Sequence, residues 1–261
     1  MFKPMRITAL FALFASVSYA QTEISNDTTK VNIKQHEVLI IRKNDTLIVK
    51  KEKTFKRFSD GNWAGVDMGV TMLMNPSFKS SFPNDFHLQN DPARSFQWNL
   101  NLVDRRLNLY KNNIGITTGL GFSFTGIGIK DNRIMHINAD SLFSSMDTIN
   151  SYKKNKLNAT YLQIPLLVEF NTAKRKDKSF HFLAGVVGGV RIGSRYKLKD
   201  NDGHKNITKK DYALNPFKLD ATLKISYSNW GIYASYGLIS MFDNKKATNA
   251  YPLSFGLSLI F

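Results

Sequence analysis

The stretch Tyr251-Pro252-Leu253-Ser254-Phe255-Gly256-Leu257-Ser258-Leu259-Ile260-Phe261 decides the fold. Tyr251, Leu253, Phe255, Leu257, Leu259 and Phe261 fall on one face. Pro252, Ser254, Gly256, Ser258 and Ile260 fall on the other. Period two sends successive side chains to opposite sides of an extended chain, so this is a strand with one apolar face.

The alternation recurs upstream. Residues 230–238 set Trp230, Ile232, Ala234, Tyr236 and Leu238 against Gly231, Tyr233, Ser235 and Gly237. Residues 217–227 set Phe217, Leu219, Leu223 and Ile225 against Lys218, Asp220, Thr222 and Lys224. Stretches 64–72, 96–102, 114–124, 160–170 and 180–192 follow the same rule, which makes eight strands. The phase breaks near Asp104 to Leu107, which predicts a turn or bulge there. Long polar connections (75–94, 126–158, 194–215, 241–250) alternate with shorter ones (104–113, 171–179, 228–229). A structureless loop of about 30 residues is foreign to a compact soluble domain but ordinary on the outer face of a membrane barrel. The expectation is an all-β chain: an eight-stranded antiparallel up-and-down transmembrane β-barrel over residues 59–261, with both chain ends in the periplasm.

Alternation alone does not say which face meets lipid, because a soluble barrel buries its apolar face. Here the polar faces are rich in Gly and Ser, which suits a crowded lumen. Aromatic residues also gather at the ends of the apolar faces. Trp63, Phe170, Phe180, Tyr227, Trp230 and Phe261 form one expected belt, towards the periplasm; Phe96, Phe124, Phe217 and Tyr251 form the other. Charges on the polar faces would be partly desolvated and would need partners. Asp67, Glu169, Arg191, Asp220 and Lys224 are therefore candidates for a lumen network, with Arg191 expected near Asp67 or Glu169. Lys218 is expected at a strand end in water.

Met1 to Arg6 is basic, Ile7 to Ala20 is apolar or small, and Gln21 follows. This pattern reads as a cleaved secretory signal over residues 1–20. Residues 21–58 read as a small periplasmic extension. Gln21 to Lys30 is polar and expected to be disordered, and two β-rich runs, 36–41 and 46–49, flank a turn at Lys43-Asn44-Asp45. The absence of Cys excludes disulfides, thiolate chemistry and Cys-based metal sites. The chain has 36 basic and 20 acidic residues, a net +16. An exported chain without a nucleic-acid motif has anionic lipid phosphates as the better partner.

The final strand resembles the terminal signal of bacterial outer-membrane barrels, which end on an aromatic residue. That resemblance implies that Phe255, Leu257, Leu259 and Phe261 are read by the barrel assembly machinery. More of the chain, about 200 residues from Trp63 onward, resembles the PorT-like outer-membrane β-barrel family of Gram-negative bacteria. The resemblance is carried by Gly61-Asn62-Trp63-Ala64-Gly65-Val66-Asp67-Met68-Gly69-Val70, by Gly115-Ile116-Thr117-Thr118-Gly119-Leu120-Gly121-Phe122 and by Tyr161-Leu162-Gln163-Ile164-Pro165-Leu166-Leu167-Val168-Glu169-Phe170. Ala184-Gly185-Val186-Val187-Gly188-Gly189 and Asn215-Pro216-Phe217 add to it. It implies fold and outer-membrane location. One namesake belongs to a secretion apparatus, but no motif here specifies that role.

No phosphate-binding loop, zinc signature or nucleophile elbow is present, so no catalytic, cofactor or metal residues are assigned. The glycines of Gly115-x-x-x-Gly119-x-Gly121 read as lumen packing. The five histidines are scattered. His181 alone lies on a barrel strand; a lipid-modifying enzyme could use a His with a Ser, and Ser179 is near, but a hydrogen-bonded lumen histidine is the simpler account. The basic run Lys174-Arg175-Lys176-x-Lys178 would face the periplasm. Arg195, Lys197, Lys209 and Lys210 would face outward as candidate lipopolysaccharide contacts. The leading functional expectation is a non-enzymatic barrel with a structural or interaction role and an unidentified protein partner. A narrow channel for small solutes and a lipid-modifying enzyme are the alternatives.

Overall fold

The structure is a computed structural model. It describes residues 57–261 except 84, 86–87, 111–112, 131, 139–140 and 174–178, and the backbone of three strands before them. The signal segment 1–20, the turn residues Asn44 and Asp45, His87 and the basic run 174–178 lie outside the described residues.

The chain divides into two compact units, residues 1–55 and 56–261. In the first, β1 (Thr28–Ile33), β2 (His36–Lys43) and β3 (Thr46–Lys53) form an antiparallel sheet in that order. The pairing of Lys43 with Thr46 matches the hairpin expected there. Strand β1 starts at Thr28, inside the polar stretch expected to be disordered, and Val31 and Ile33 give it a β-forming end.

The second unit is a closed ring. Strand β4 (Phe58–Ser59) is followed by β5 (Gly65–Met74), β6 (Phe96–Tyr110), β7 (Ile114–Gly128), β8 (Arg133–Ile137), β9 (Leu142–Met146), β10 (Tyr152–Asn171) and β11 (Phe180–Asp200). Then come β12 (Lys205–Thr208), β13 (Phe217–Tyr227), β14 (Trp230–Gly237) and β15 (Tyr251–Ile260). The ring runs β5-β6-β7-β10-β11-β13-β14-β15 and closes where β15 pairs antiparallel with β5. These are the eight expected strands. Their apolar faces point outward: Met68, Ile164, Leu166, Ile232 and Leu257 are all more than half exposed. A continuous apolar wall of this kind requires hydrocarbon around it, and closing the ring leaves no unpaired edge there.

Strand β6 departs from expectation. It does not turn at Asp104 but runs on to Tyr110, with a register shift between Asn101 and Val103. Leu102 and Val103 both face outward, so the bulge reverses the phase and sends Arg106 and Asn108 inward. The break in alternation was the bulge, and the turn waits until Asn113.

The long connections are also more ordered than expected. Strands β7, β10 and β11 extend beyond the ring, and β8 and β9 form a hairpin within 126–158. Apolar residues scattered through these connections form a buried cluster: Leu73, Phe82, Leu88, Ile129, Met135, Leu142, Leu157, Tyr196, Leu214, Met241 and Phe242 belong to it. The connections therefore have a core of their own, at the mouth opposite the short turns.

Candidate functional site: a filled lumen under a folded loop cap

The lower mouth, at the short turns, is filled by the incoming chain. Asp104 on β6 accepts hydrogen bonds from three backbone N–H groups, those of Gly61 (3.0 Å), Trp63 (2.7 Å) and Ala64 (2.8 Å). One strand further round the ring from β7, Glu169 on β10 is fully buried and accepts from Asn62 N (3.2 Å), Asn62 Nδ2 (2.6 Å) and Thr117 Oγ1 (2.5 Å). Arg106 lies 3.4 Å from the same carboxylate. Two carboxylates on strands that flank β7, Asp104 on β6 and Glu169 on β10, thus hold one segment between them. Charged acceptors bonded to backbone N–H groups are the strong kind of hydrogen bond, and they offset the desolvation of the carboxylates.

Trp63 follows directly. It is 2% exposed and packs with Leu167, Leu183 and Val187. It is therefore not in the lower aromatic belt where its sequence position put it; the chain enters through the lumen before joining the wall. Gly119 and Gly121 make room for it, since a Cβ at either would sit 3.0 Å from the indole ring. Gly65, at φ +147°, turns the chain from lumen to wall, where a Cβ would meet Leu259 O at 2.0 Å.

Above the indole lies the buried pair Asp67–Lys224, at 2.8 Å. Ser258 Oγ (2.6 Å) and Asn101 Nδ2 (2.9 Å) also donate to Asp67, and Lys224 reaches Trp63 O at 3.4 Å. Asn101 links onward to Gln163, and Gln97 joins Asn99 and Ser123. Higher still, Lys218 pairs with Asp220 at 2.8 Å and donates to Ser123 at 3.2 Å. Lys218 is thus held inside the lumen rather than in water. Among the described residues, cavities of about 20 and 10 Å³ lie in the lumen, each with room for about one water molecule. Gln97, Asp220 and Ser235 line both, and the buried Tyr233 hydroxyl, which lacks a hydrogen-bond partner, lines the smaller.

Of the expected lumen residues, Asp67 and Lys224 meet each other, Asp220 meets Lys218, and Glu169 meets Arg106. Arg191 meets neither Asp67 nor Glu169. It lies near the upper rim and pairs with Asp211 from the connection after β12. Its partner comes from a loop whose position no strand periodicity conveys. Asn62, Asp104 and Arg106 were missed for a related reason: they enter the lumen by a plug and a bulge that strand alternation does not convey, while Trp63 was assigned to the belt although it shares the phase of the inward Asp67. The phase break at Asp104 was the one available signal.

His181 is buried and its Nδ1 lies 2.7 Å from Asn171 Oδ1, while Ser179 Oγ bonds to the backbone of Ala173. Asn171 in turn donates to Glu169, so the histidine belongs to the plug's network. Asp200, Asp202 and His204 gather at an exposed hairpin tip, where His204 bonds to Asp200.

On the outer wall, Phe170, Phe180, Phe182 and Tyr227 form a contiguous aromatic group at the lower end. Trp98 stacks on Phe124 at the upper end, with ring centroids 4.1 Å apart. Phe261 is exposed after the end of β15, and its N–H bonds to Ala64 O. Phe255 and Leu257 are exposed on the same outward stripe and Leu259 is half-buried. Above the upper belt the wall turns basic. Arg195 stands opposite Asn158, Lys197 opposite Lys156, and Lys199 opposite Lys154. Lys209 and Lys210 are exposed beyond β12.

A model of the outer membrane protein beta-barrel domain matches residues 102–243. The chain belongs to that family. This outer-membrane barrel is also similar to solved structures of Ail, the attachment invasion locus protein of Yersinia pestis. The complex of Ail with the heparin analogue sucrose octasulfate matches at 14% identity, covering 76% of this chain and 95% of Ail, with a TM-score of 0.30. A second Ail structure matches at 12% identity over 76% and 99%, again with a TM-score of 0.30. No curated protein matches the chain.

Proposed function

We propose that the protein is a non-enzymatic outer-membrane barrel that passes no solute and acts through the surface of its folded loop cap. Both chain ends lie in the periplasm and the long connections face outward. The observation that carries this is the filling of the lumen at every level. A bonded chain segment crosses the lower mouth, ion pairs and amides fill the middle, and an apolar cluster covers the top. Eight strands enclose only enough space for side chains, and here side chains take it. Within the outer-membrane barrel family, we place the chain in the PorT-like group, a reading supported by the residues 61–70 that form the plug and the start of β5. Outer-membrane lipid and lipopolysaccharide surround the wall, and the barrel assembly machinery reads the last strand through Phe255, Leu257, Leu259 and Phe261. An unidentified protein is the partner of the cap.

Planar-bilayer recording of the refolded protein tests the reading. The expected trace is flat. Steady, ion-selective steps from wild-type protein would overturn the closed lumen and favour a narrow channel.

A further inference from the structure

We propose that the outer wall just above the hydrocarbon band carries a binding site for the phosphates of a lipid headgroup, lipid A, built on the three rungs Asn158–Arg195, Lys156–Lys197 and Lys154–Lys199. The proposal rests on the reading that the barrel stands in the outer membrane with its long connections outward.

Residues directly opposite on a strand pair share one face and nearly touch, so like charges there repel. Strands β10 and β11 place lysine against lysine on two successive outward rungs, and β12 adds Lys205 opposite Lys199. Among the described residues, no carboxylate lies within ion-pair distance of any of these cations. The nearby acids are engaged elsewhere: Asp91 with Arg94 at 3.3 Å, and Asp200 with His204 at 3.1 Å. Partial burial and the charges of Lys154, Arg94 and Lys197 hold the Lys156 ammonium below the usual lysine range.

The strands cannot relieve this repulsion by turning. Leu157 and Tyr196, the alternating inward residues, are locked in the apolar core of the cap. A ligand that supplies negative charge offsets the repulsion.

Height along the wall selects the ligand. Below the ladder the outward residues are apolar, with Val190 and Ile192 exposed. Lys156 Nζ lies 3.9 Å above the ring of Phe96, an exposed member of the upper aromatic belt. Such rings sit at headgroup depth, so the lysines stand where lipid phosphates are. Three rungs repeat at about 6.8 Å, a span of roughly 14 Å, which lets one ladder meet both phosphates of a diphosphorylated disaccharide. Beside the ladder lies an open polar pocket of about 270 Å³, lined by Arg94, Asn132 and Tyr152 with Asp91, where Lys130 adds a further cation. Lys209 and Lys210 fall outside this site.

The test places the full-chain protein in phosphatidylcholine nanodiscs doped with diphosphorylated lipid A or with its dephosphorylated form. Native mass spectrometry then counts the lipid A retained. The expected result is selective retention of the phosphorylated form, falling by about ten-fold for each lysine removed in Lys156→Gln with Lys197→Gln, while Lys209→Gln with Lys210→Gln leaves it unchanged. Equal retention of both forms, or full retention by the first double variant, overturns the site. Displacement by inorganic phosphate or a soluble phosphosaccharide as effective as that by lipid A overturns the lipid as its source. Heat-modifiable migration of the same samples reports insertion separately, so a failure of the membrane reading shows as a barrel that never enters the disc. Should the first double variant fail to insert, Lys154→Gln with Lys199→Gln carries the same expectation from further above the belt.

Discussion

At the lower mouth the incoming chain crosses the lumen as polar backbone gripped by two carboxylates, whereas at the upper mouth four connections meet through apolar side chains. Both seals close the same tube, but they should fail differently. The lower plug bonds to the ring strands β6, β10 and β13, so losing it disturbs the ring itself. The cap has its own core outside the ring, so it can open while the ring stays closed.

The largest expected effect belongs to the charges that anchor the lower filling. Lys224→Met leaves Asp67 buried without its cation, which should cost about 3–5 kcal/mol. Combining it with Asp67→Asn should recover much of that loss, because the stranded charge is gone. Urea unfolding in lipid vesicles, followed by tryptophan fluorescence, checks both. A single variant as stable as wild type would show that the pair is not a structural element of the plug.

Next come two aromatic truncations that set the seals directly against each other. Trp63→Ala and Phe242→Ala each remove a large buried ring, a change that typically costs about 3–5 kcal/mol in a packed core. Trp63→Ala should lower the unfolding midpoint of the whole barrel. Phe242→Ala should leave that midpoint nearly in place and instead let protease cut within 239–250. If Phe242→Ala lowers the global midpoint as much as Trp63→Ala does, cap and ring are one cooperative unit and the distinction fails.

The same contrast explains how much was legible in the sequence. The ring was, because each of its strands repeats a two-residue signal and the wall needs every repeat. Neither seal has a period. Trp63 shares the phase of the inward Asp67 and Thr71, so its aromatic character and not its phase suggested the lower belt. Arg106 reads as outward until the bulge at Leu102–Val103 shifts the phase. In the cap, Leu88, Met135 and Phe242 are isolated apolar residues in polar stretches, and their mutual contact depends on connections far apart in sequence. Of the candidate site, Asp67, Glu169, Asp220 and Lys224 were visible as charges on an inward face. Their partners were visible only where both lay on regular strands.

The smallest expected effect separates the cap's surface from its core. The turn after β9 is organised by Asp147, whose carboxylate accepts from the N–H groups of Asn150 and Ile149 and from the Tyr152 hydroxyl at 2.7 Å. Those bonds, the backbone N–H of Asn150 foremost, hold its pKa well below the usual carboxylate range. A depressed acid pKa means that the charged form favours the folded turn. Its contribution is complete above the unfolded value of about 3.9 and is lost as pH falls through the folded value. Amide exchange at Ile149 and Asn150 should therefore stay protected through mild acid and rise only in strong acid, and Asp147→Asn should remove that pH step. Exchange at Met135 and Leu142, in the uncharged core beneath, should not follow it, because no carboxylate holds those amides: Met135 N–H donates to the Tyr196 hydroxyl and Leu142 N–H to Lys246 O. If all four amides lose protection together, the turn and the apolar core open as one unit, and the cap owes its order to the turn as much as to burial.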